Sequence, residues 1–139
     1  MQDWWPMRIT SDQHSRANEF FNLVNLLKQF RMNCTPARES DIESALVLFL
    51  KFHNYPVKRQ LVIRGGRLDL MAGQYIIEVK MIAQKNIADQ LDRYSGHCDG
   101  LIVVCWKATD PLRSLFAAEQ KTALIPVELI EVRNACGMI

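Results

Sequence analysis

The order of hydrophobic patterns along the chain predicts an α/β fold: a mixed β-sheet flanked by helices, with an extra helix at the N-terminal end. Three observations carry it. Two stretches before residue 54 repeat their apolar residues at helical spacing. Three strand-like runs then follow one another, separated by turn signals. After them, helix and strand patterns alternate to the end of the chain. With 139 residues, one domain with its own core is the expected unit.

Taken in order, Phe20, Leu23, Val24, Leu27 and Phe30 predict a helix over residues 12–33. "CTPARES" interrupts it, and Thr35-Pro36 reads as the cap and first residue of a second helix reaching about His53. Ile42, Leu46 and Leu50 mark its apolar face. "VKRQLVIR" alternates and meets Gly65-Gly66; "RLDLM" follows; a turn at Ala72-Gly73 leads into "QYIIEVKM". Three strands joined this closely predict an antiparallel meander. Asn86 offers a cap for a third helix, with Asp89 three residues on and Gly96 ending it. "GLIVVCW" is almost continuously apolar, as in a strand covered on both faces. Asp110-Pro111 starts a fourth helix, and "IPVELIEV" is the last strand.

Composition narrows the class. Hydrophobic residues make up 49% and charged ones 23%, which excludes a disordered chain. A net charge of +2 permits a nucleic-acid partner without demanding one. Cys34, Cys98, Cys105 and Cys136 show no zinc-site spacing and read as reduced thiols. The apolar runs "ALVLFL" and "LIVVCW" are too short to cross a bilayer, and "MQDWWPMRIT" lacks the plan of a signal peptide. A cytoplasmic protein with no membrane partner is therefore expected. Trp4 and Trp5 are expected to pack in the core, although stacking on bases or on a partner subunit suits them too.

The segment "RLDLMAGQYIIEVK" places Asp69, Glu78 and Lys80 inside strands. Side chains alternate along a strand, so Glu78 and Lys80 share one face. The turn between the two strands is short, so they should be sheet neighbours, with Asp69 converging on Glu78 near Lys80. Paired buried carboxylates are costly and repel one another. A divalent cation relieves both problems, and hard oxygen ligands suit Mg²⁺ or Mn²⁺. A lysine beside such an ion can position or help deprotonate a water. These are parts for metal-assisted phosphodiester hydrolysis. Each strand taken alone also reads as a solvated edge with an ion pair worth little. The apolar flanks in "YIIEVKMI" and the nearness of Asp69 weigh toward a site.

Asp69 followed by Glu78-Val79-Lys80 resembles the D…(D/E)-x-K signature of the PD-(D/E)XK nuclease superfamily, and the element order over residues 36–106 is similar to its restriction-endonuclease-like core. Leu68 stands where the pattern's nominal Pro would be. On this resemblance residues 12–33 are an added helix, 36–106 the nuclease core, and 107–139 a C-terminal helix and strand of one domain. The resemblance implies Asp69 and Glu78 as metal ligands, with the Val79 backbone carbonyl as a further one. It implies that Lys80 orients the attacking water or stabilises charge on the phosphate. "QLDRY" sets Gln90 and Tyr94 four apart on one helix face, similar to the QxxxY motif of RecB-type nucleases. The second helix should supply an acidic residue, Glu39 or Glu43. Glu43 lies nearer the apolar stripe, although "SDIE" also reads as a capping box with Ser40 as the cap.

Arg64, Arg67, Lys85 and Arg93, with Lys58 and Arg59, gather around this site as candidate phosphate contacts, each reading equally as part of a solvated face. The functional expectation is a Mg²⁺- or Mn²⁺-dependent nuclease acting on DNA in repair, recombination or replication, with RNA left open as substrate. The alternative is a non-catalytic nucleic-acid-binding or assembly protein on the same fold. A second rival is an unrelated interaction domain in which the three charged residues lie apart. Compact members of the superfamily include dimeric Holliday-junction resolvases, whereas QxxxY points toward exonucleases. The Phe-rich first helix is a candidate surface for a homodimer.

Overall fold

The computed structural model describes residues 11–63, 66–84 and 87–134. The chain runs α1 (Ser11–Leu27), β1 (Arg31–Met32), α2 (Glu39–Phe52), β2 (Val57–Ile63), β3 (Gly66–Ala72), β4 (Tyr75–Ala83), α3 (Ala88–Tyr94), a 3₁₀ turn (Ser95–His97), β5 (Gly100–Ala108), α4 (Asp110–Thr122), β6 (Val127–Glu131) and β7 (Arg133–Asn134). The expected α/β class, with a mixed sheet and an added N-terminal helix, is the one observed. Strands β2 to β6 lie side by side in sequence order. The first three form the expected antiparallel meander; β4, β5 and β6 are parallel, joined by crossovers that contain α3 and α4.

Two cores sit on the two faces of the sheet. Phe20, Leu23, Val24 and Leu27 of α1 and Ile42, Leu46 and Leu50 of α2 pack on Ile77, Val79, Ile102 and Val104. On the other face Ile87, Tyr94, Leu112 and Phe116 pack on Ile76, Leu101, Val103 and Cys105. The alternation along β5 thus splits between the two layers, as the apolar run "GLIVVC" requires. Cys34, Cys98 and Cys105 are free thiols. Among the described residues no helix is long and apolar enough to cross a membrane.

Several boundaries differ from the sequence expectation. The first helix stops at Leu27, short of residue 33. Phe30 still reaches the core, through a turn whose N–H groups bond back to Leu26 and Leu27, and its ring packs edge-on against Phe49 at 5.3 Å. Arg31–Met32 then pairs in parallel with Arg133–Asn134, a distant partner that no local pattern announces. Helix α2 starts at Glu39 rather than Pro36, and its cap is Arg38, not Thr35 or Ser40. The reason is Asp41, whose Oδ2 accepts the N–H groups of Ala37 (2.8 Å) and Arg38 (3.2 Å) and so satisfies orphan donors. The helix ends in a Schellman motif with Asn54 left-handed at φ 65°; Tyr55 N–H bonds to Leu50 O and Asn54 N–H to Lys51 O. Helix α4 is capped one residue earlier than expected, by Thr109, with Pro111 in its first turn. Arg64, Lys85, Asn86, Trp4, Trp5 and Cys136 lie outside the described residues.

The hairpin between β3 and β4 turns at Gly73-Gln74. Gly73 has φ 60° while Gln74 stays in ordinary space, which fits a type II′ turn with glycine first. A two-residue turn fixes the register of everything beyond it.

Gly100, buried at the start of β5, leaves no room for a side chain. A Cβ there would meet two ring carbons of Phe20, at 2.6 and 2.7 Å, and Tyr75 Cδ1 at 3.0 Å. Gly100→Ala should therefore displace the Phe20 ring and destabilise the fold by about 1–3 kcal/mol. Thermal denaturation measures this, and a variant as stable as the parent would contradict the packing described.

Candidate functional site

Register brings the first two candidates together. The β3–β4 pairing runs Ala72 with Tyr75, Met71 with Ile76 and Leu70 with Ile77. The next step sets Asp69 opposite Glu78, and there the ladder stops. Beyond it β3 stays paired with β2 as far as Gly66 with Ile63, and β4 stays paired with β5 as far as Ala83 with Ala108. The sheet therefore forks at Asp69 and Glu78. Period-two alternation also breaks here, because Leu68 and Leu70 join opposite cores.

At the fork the two carboxylates take up backbone donors. Val79 N–H donates to Asp69 Oδ2 at 2.9 Å, and Asp69 N–H donates to Glu78 Oε1 at 3.3 Å. Each carboxylate bonds through one oxygen; among the described residues Asp69 Oδ1 and Glu78 Oε2 accept no hydrogen bond. Glu78 is buried and Asp69 half-buried. Loss of solvent is the main cause that pushes the Glu78 carboxyl up to about 7, with the Asp69 charge adding to it. Asp69 is also raised, first by burial and further by the charge of Glu43, against the bond from Val79 and the Lys80 ammonium.

Lys80 lies two residues past Glu78 on the same face, half-buried. With Gln84 of the same chain stretch and Asp89, Gln90 and Arg93 from α3, it lines a cleft of about 500 Å³. Gln90 of "QLDRY" thus lines the same cleft as the strand lysine. Tyr94 does a different job: it is buried, and its hydroxyl donates to Arg67 O at 3.0 Å, tying α3 to the start of β3. Burial and the Glu78 charge raise its phenol. Arg67 is exposed at the start of β3, and Arg93 is exposed at the rim of the cleft. Asp69 and Glu78 do not line this cleft themselves; they lie close enough to Lys80 and Tyr94 for their charges to be felt there.

Glu43 approaches from α2, in the opposite layer. It is buried, and its Oε1 accepts from Gln60 Nε2 at 2.8 Å and lies 3.5 Å from Arg59 Nε. Its capping role is excluded because the cap lies upstream at Arg38. Glu39, one helical turn earlier, is exposed, and its charge raises both Asp69 and Glu78. The sequence reading missed Gln60 and Gln84 as site neighbours. For Gln60 a signal existed, a lone polar amide between basic and apolar residues of "KRQLVI", but nothing local tied it to Glu43.

The donor set tests whether a divalent cation fits. Among the described residues no group of three or more His, Cys, Asp and Glu converges as a ready ligand cage. Two desolvated, mutually repelling carboxylates do converge, each with one oxygen that accepts no hydrogen bond from the described residues. Mg²⁺ and Mn²⁺ are commonly held by one or two carboxylates plus water and substrate, so this set fits such an ion. Compared with known protein families, curated proteins and solved structures, the chain matches none.

Because folding raises the Glu78 carboxyl from 4.5 to about 7, the folded chain retains a proton that the unfolded chain has released. That contribution to stability is complete below the unfolded value and is lost as pH rises through about 7. In metal-free buffer the melting temperature should fall from about pH 5 to about pH 8, and Glu78→Gln should flatten the fall. Identical pH profiles for the two proteins would refute the assignment.

Proposed function

We propose that the protein is a metal-dependent nuclease that hydrolyses DNA phosphodiester bonds, a compact relative of the PD-(D/E)XK enzymes with a restriction-endonuclease-like core. One observation carries the reading: Asp69 and Glu78 face each other at a fork in the sheet, the first half-buried and the second buried, both raised in pKa, with Lys80 next on the same strand face. A structural ion pair would not need two repelling carboxylates at a place where the ladder is given up.

In this reading Asp69 and Glu78 hold Mg²⁺ or Mn²⁺, with the Val79 carbonyl as a further ligand. The ion, when bound, supplies Lewis acidity toward a phosphoryl oxygen and a more acidic water. The chain's own residues do the rest. Lys80 extends into the cleft, where its ammonium orients the nucleophile and offsets charge developing on phosphate. Gln90 donates or accepts from the facing wall. Arg93 and Arg67 lie where a strand of negative phosphates enters. Tyr94 keeps α3 and β3 at a fixed separation through Arg67 O, so the cleft holds its width. Glu43 adds a third negative charge beside Asp69.

A cleft of this size next to an open strand edge suits a single strand or a frayed end, as exonucleases use, while two copies would reach both strands of a branched duplex. Phe20 is consumed by the chain's own core, so a homodimer through α1 would rest on Phe21, which is exposed. The rival reading, a non-catalytic nucleic-acid-binding or assembly protein, draws on the absence of a three-ligand cage among the described residues and on Glu43 being already engaged.

Linear duplex, single-stranded and four-way-junction DNA incubated with Mn²⁺ or EDTA separate these readings. The wild-type protein should cleave only with metal. Asp69→Asn, whose amide oxygen still accepts from Val79, should lose at least about a hundredfold in rate with no loss of melting temperature. Lys80→Ala should lose rate while still being stabilised thermally by Mn²⁺. Cleavage that persists in Asp69→Asn removes the nuclease reading; Mn²⁺ binding without cleavage of any DNA turns it toward RNA or the non-catalytic role.

A further inference from the structure

We infer that Gln60 is a positioning residue: its left-handed backbone turns its amide onto Glu43 and so fixes that carboxylate beside the Asp69–Glu78 pair. The inference rests on the nuclease reading of the site.

Gln60 has φ 53° in the middle of β2. Glycine, asparagine and aspartate tolerate this region; a glutamine in a strand has no local reason to adopt it. Asn54, the other non-glycine residue with positive φ among those described, sits at the end of a helix where such a conformation is expected. Gln60 is exposed on the sheet's outer strand, so no core contact forces it either.

Its place in the register is specific. Arg59 pairs with Leu70 and Leu61 with Leu68, which puts Gln60 opposite Asp69 at the one rung missing from the β2–β3 ladder. In a regular strand adjacent residues point to opposite faces. Here Arg59 Nε and Gln60 Nε2 both reach Glu43 Oε1, at 3.5 and 2.8 Å. The left-handed turn at Gln60 is what lets two neighbours converge on one oxygen. The held carboxylate is close enough to Asp69 for its charge to be felt there. Strain that persists at an exposed residue, next to paired carboxylates, is the pattern of a functional constraint.

Gln60→Gly, Gln60→Asn, Glu43→Gln and the double variant Gln60→Gly with Glu43→Gln test this. Glycine accepts the backbone freely and removes the amide; asparagine tolerates the backbone but is one methylene short. Three quantities are read: melting temperature, Mn²⁺ affinity from water-proton relaxation, and DNA cleavage rate. Gln60→Gly and Gln60→Asn should melt at or above the wild-type temperature, yet bind Mn²⁺ about tenfold more weakly and cleave more slowly to a similar degree. In the Glu43→Gln background, Gln60→Gly should change neither affinity nor rate further, because both residues act through one contact.

Unchanged Mn²⁺ affinity and cleavage in Gln60→Gly overturn the inference, as do losses that simply add in the double variant. A wild-type protein that binds Mn²⁺ without cleaving still decides the matter through affinity. A wild-type protein that neither binds Mn²⁺ nor cleaves overturns the nuclease reading and this inference together; an active wild type with indifferent Gln60 variants overturns only the latter.

Discussion

The site depends on one exchange: Val79 N–H to the Asp69 carboxylate, and Asp69 N–H to the Glu78 carboxylate. In an ordinary antiparallel pair those N–H groups would go to carbonyls and zip the strands onward. Here side chains take them, so the strands separate while the donors remain satisfied. These two backbone donors keep acceptors at the gap, and among the described residues no buried side-chain nitrogen or oxygen lacks a partner. The same bonds aim both carboxylates. Each has one oxygen committed to the backbone and, among the described residues, one without a hydrogen bond, which is what a ligand-binding carboxylate needs.

The rest of the fold supports that exchange from three directions. The two-residue turn at Gly73 sets the register, and a slip of one residue would send Asp69 to the other face. Strand β4 is paired with β5 from Tyr75 to Ala83, so the Glu78 and Lys80 segment keeps a partner where its pairing with β3 stops. The Tyr94 bond to Arg67 O then ties the start of β3 to α3. Both helical layers bring polar side chains to the candidate site: α3 brings Gln90 and Arg93, and α2 brings Glu43. A site assembled from both sides of a sheet is reachable only where the sheet parts.

Much of this was legible in the sequence. Helical spacing from Phe20 to Leu27 and from Ile42 to Leu50, alternation in "VKRQLVIR" and the turn glycine at 73 are local signals that survive packing. The convergence of Asp69 on Glu78 followed from a short turn and a period of two. What stayed hidden depended on distant partners. The β1–β7 pair needs two segments a hundred residues apart. The start of α2 was set by the Asp41 carboxylate, not by the Thr-Pro pair that resembles a better cap. The conformation of Gln60 has no signature in its own sequence, because what holds it is a glutamate seventeen residues earlier. The fork itself is a failure of periodicity at Leu68 and Leu70, and regular patterns do not foretell where they will fail.

The kink in β2 bears on how molecules of this protein meet one another. β2 is the outer strand of the sheet, and an outer strand offers a row of unpaired amides and carbonyls to any neighbouring chain. A left-handed residue at the midpoint turns that row out of line. Lys58 and Arg59 stand just before it, and Val62, largely exposed, comes after it. A second strand laid along β2 would lose its hydrogen bonds halfway and meet two cations. The edge is thereby a less regular template for open-ended strand stacking.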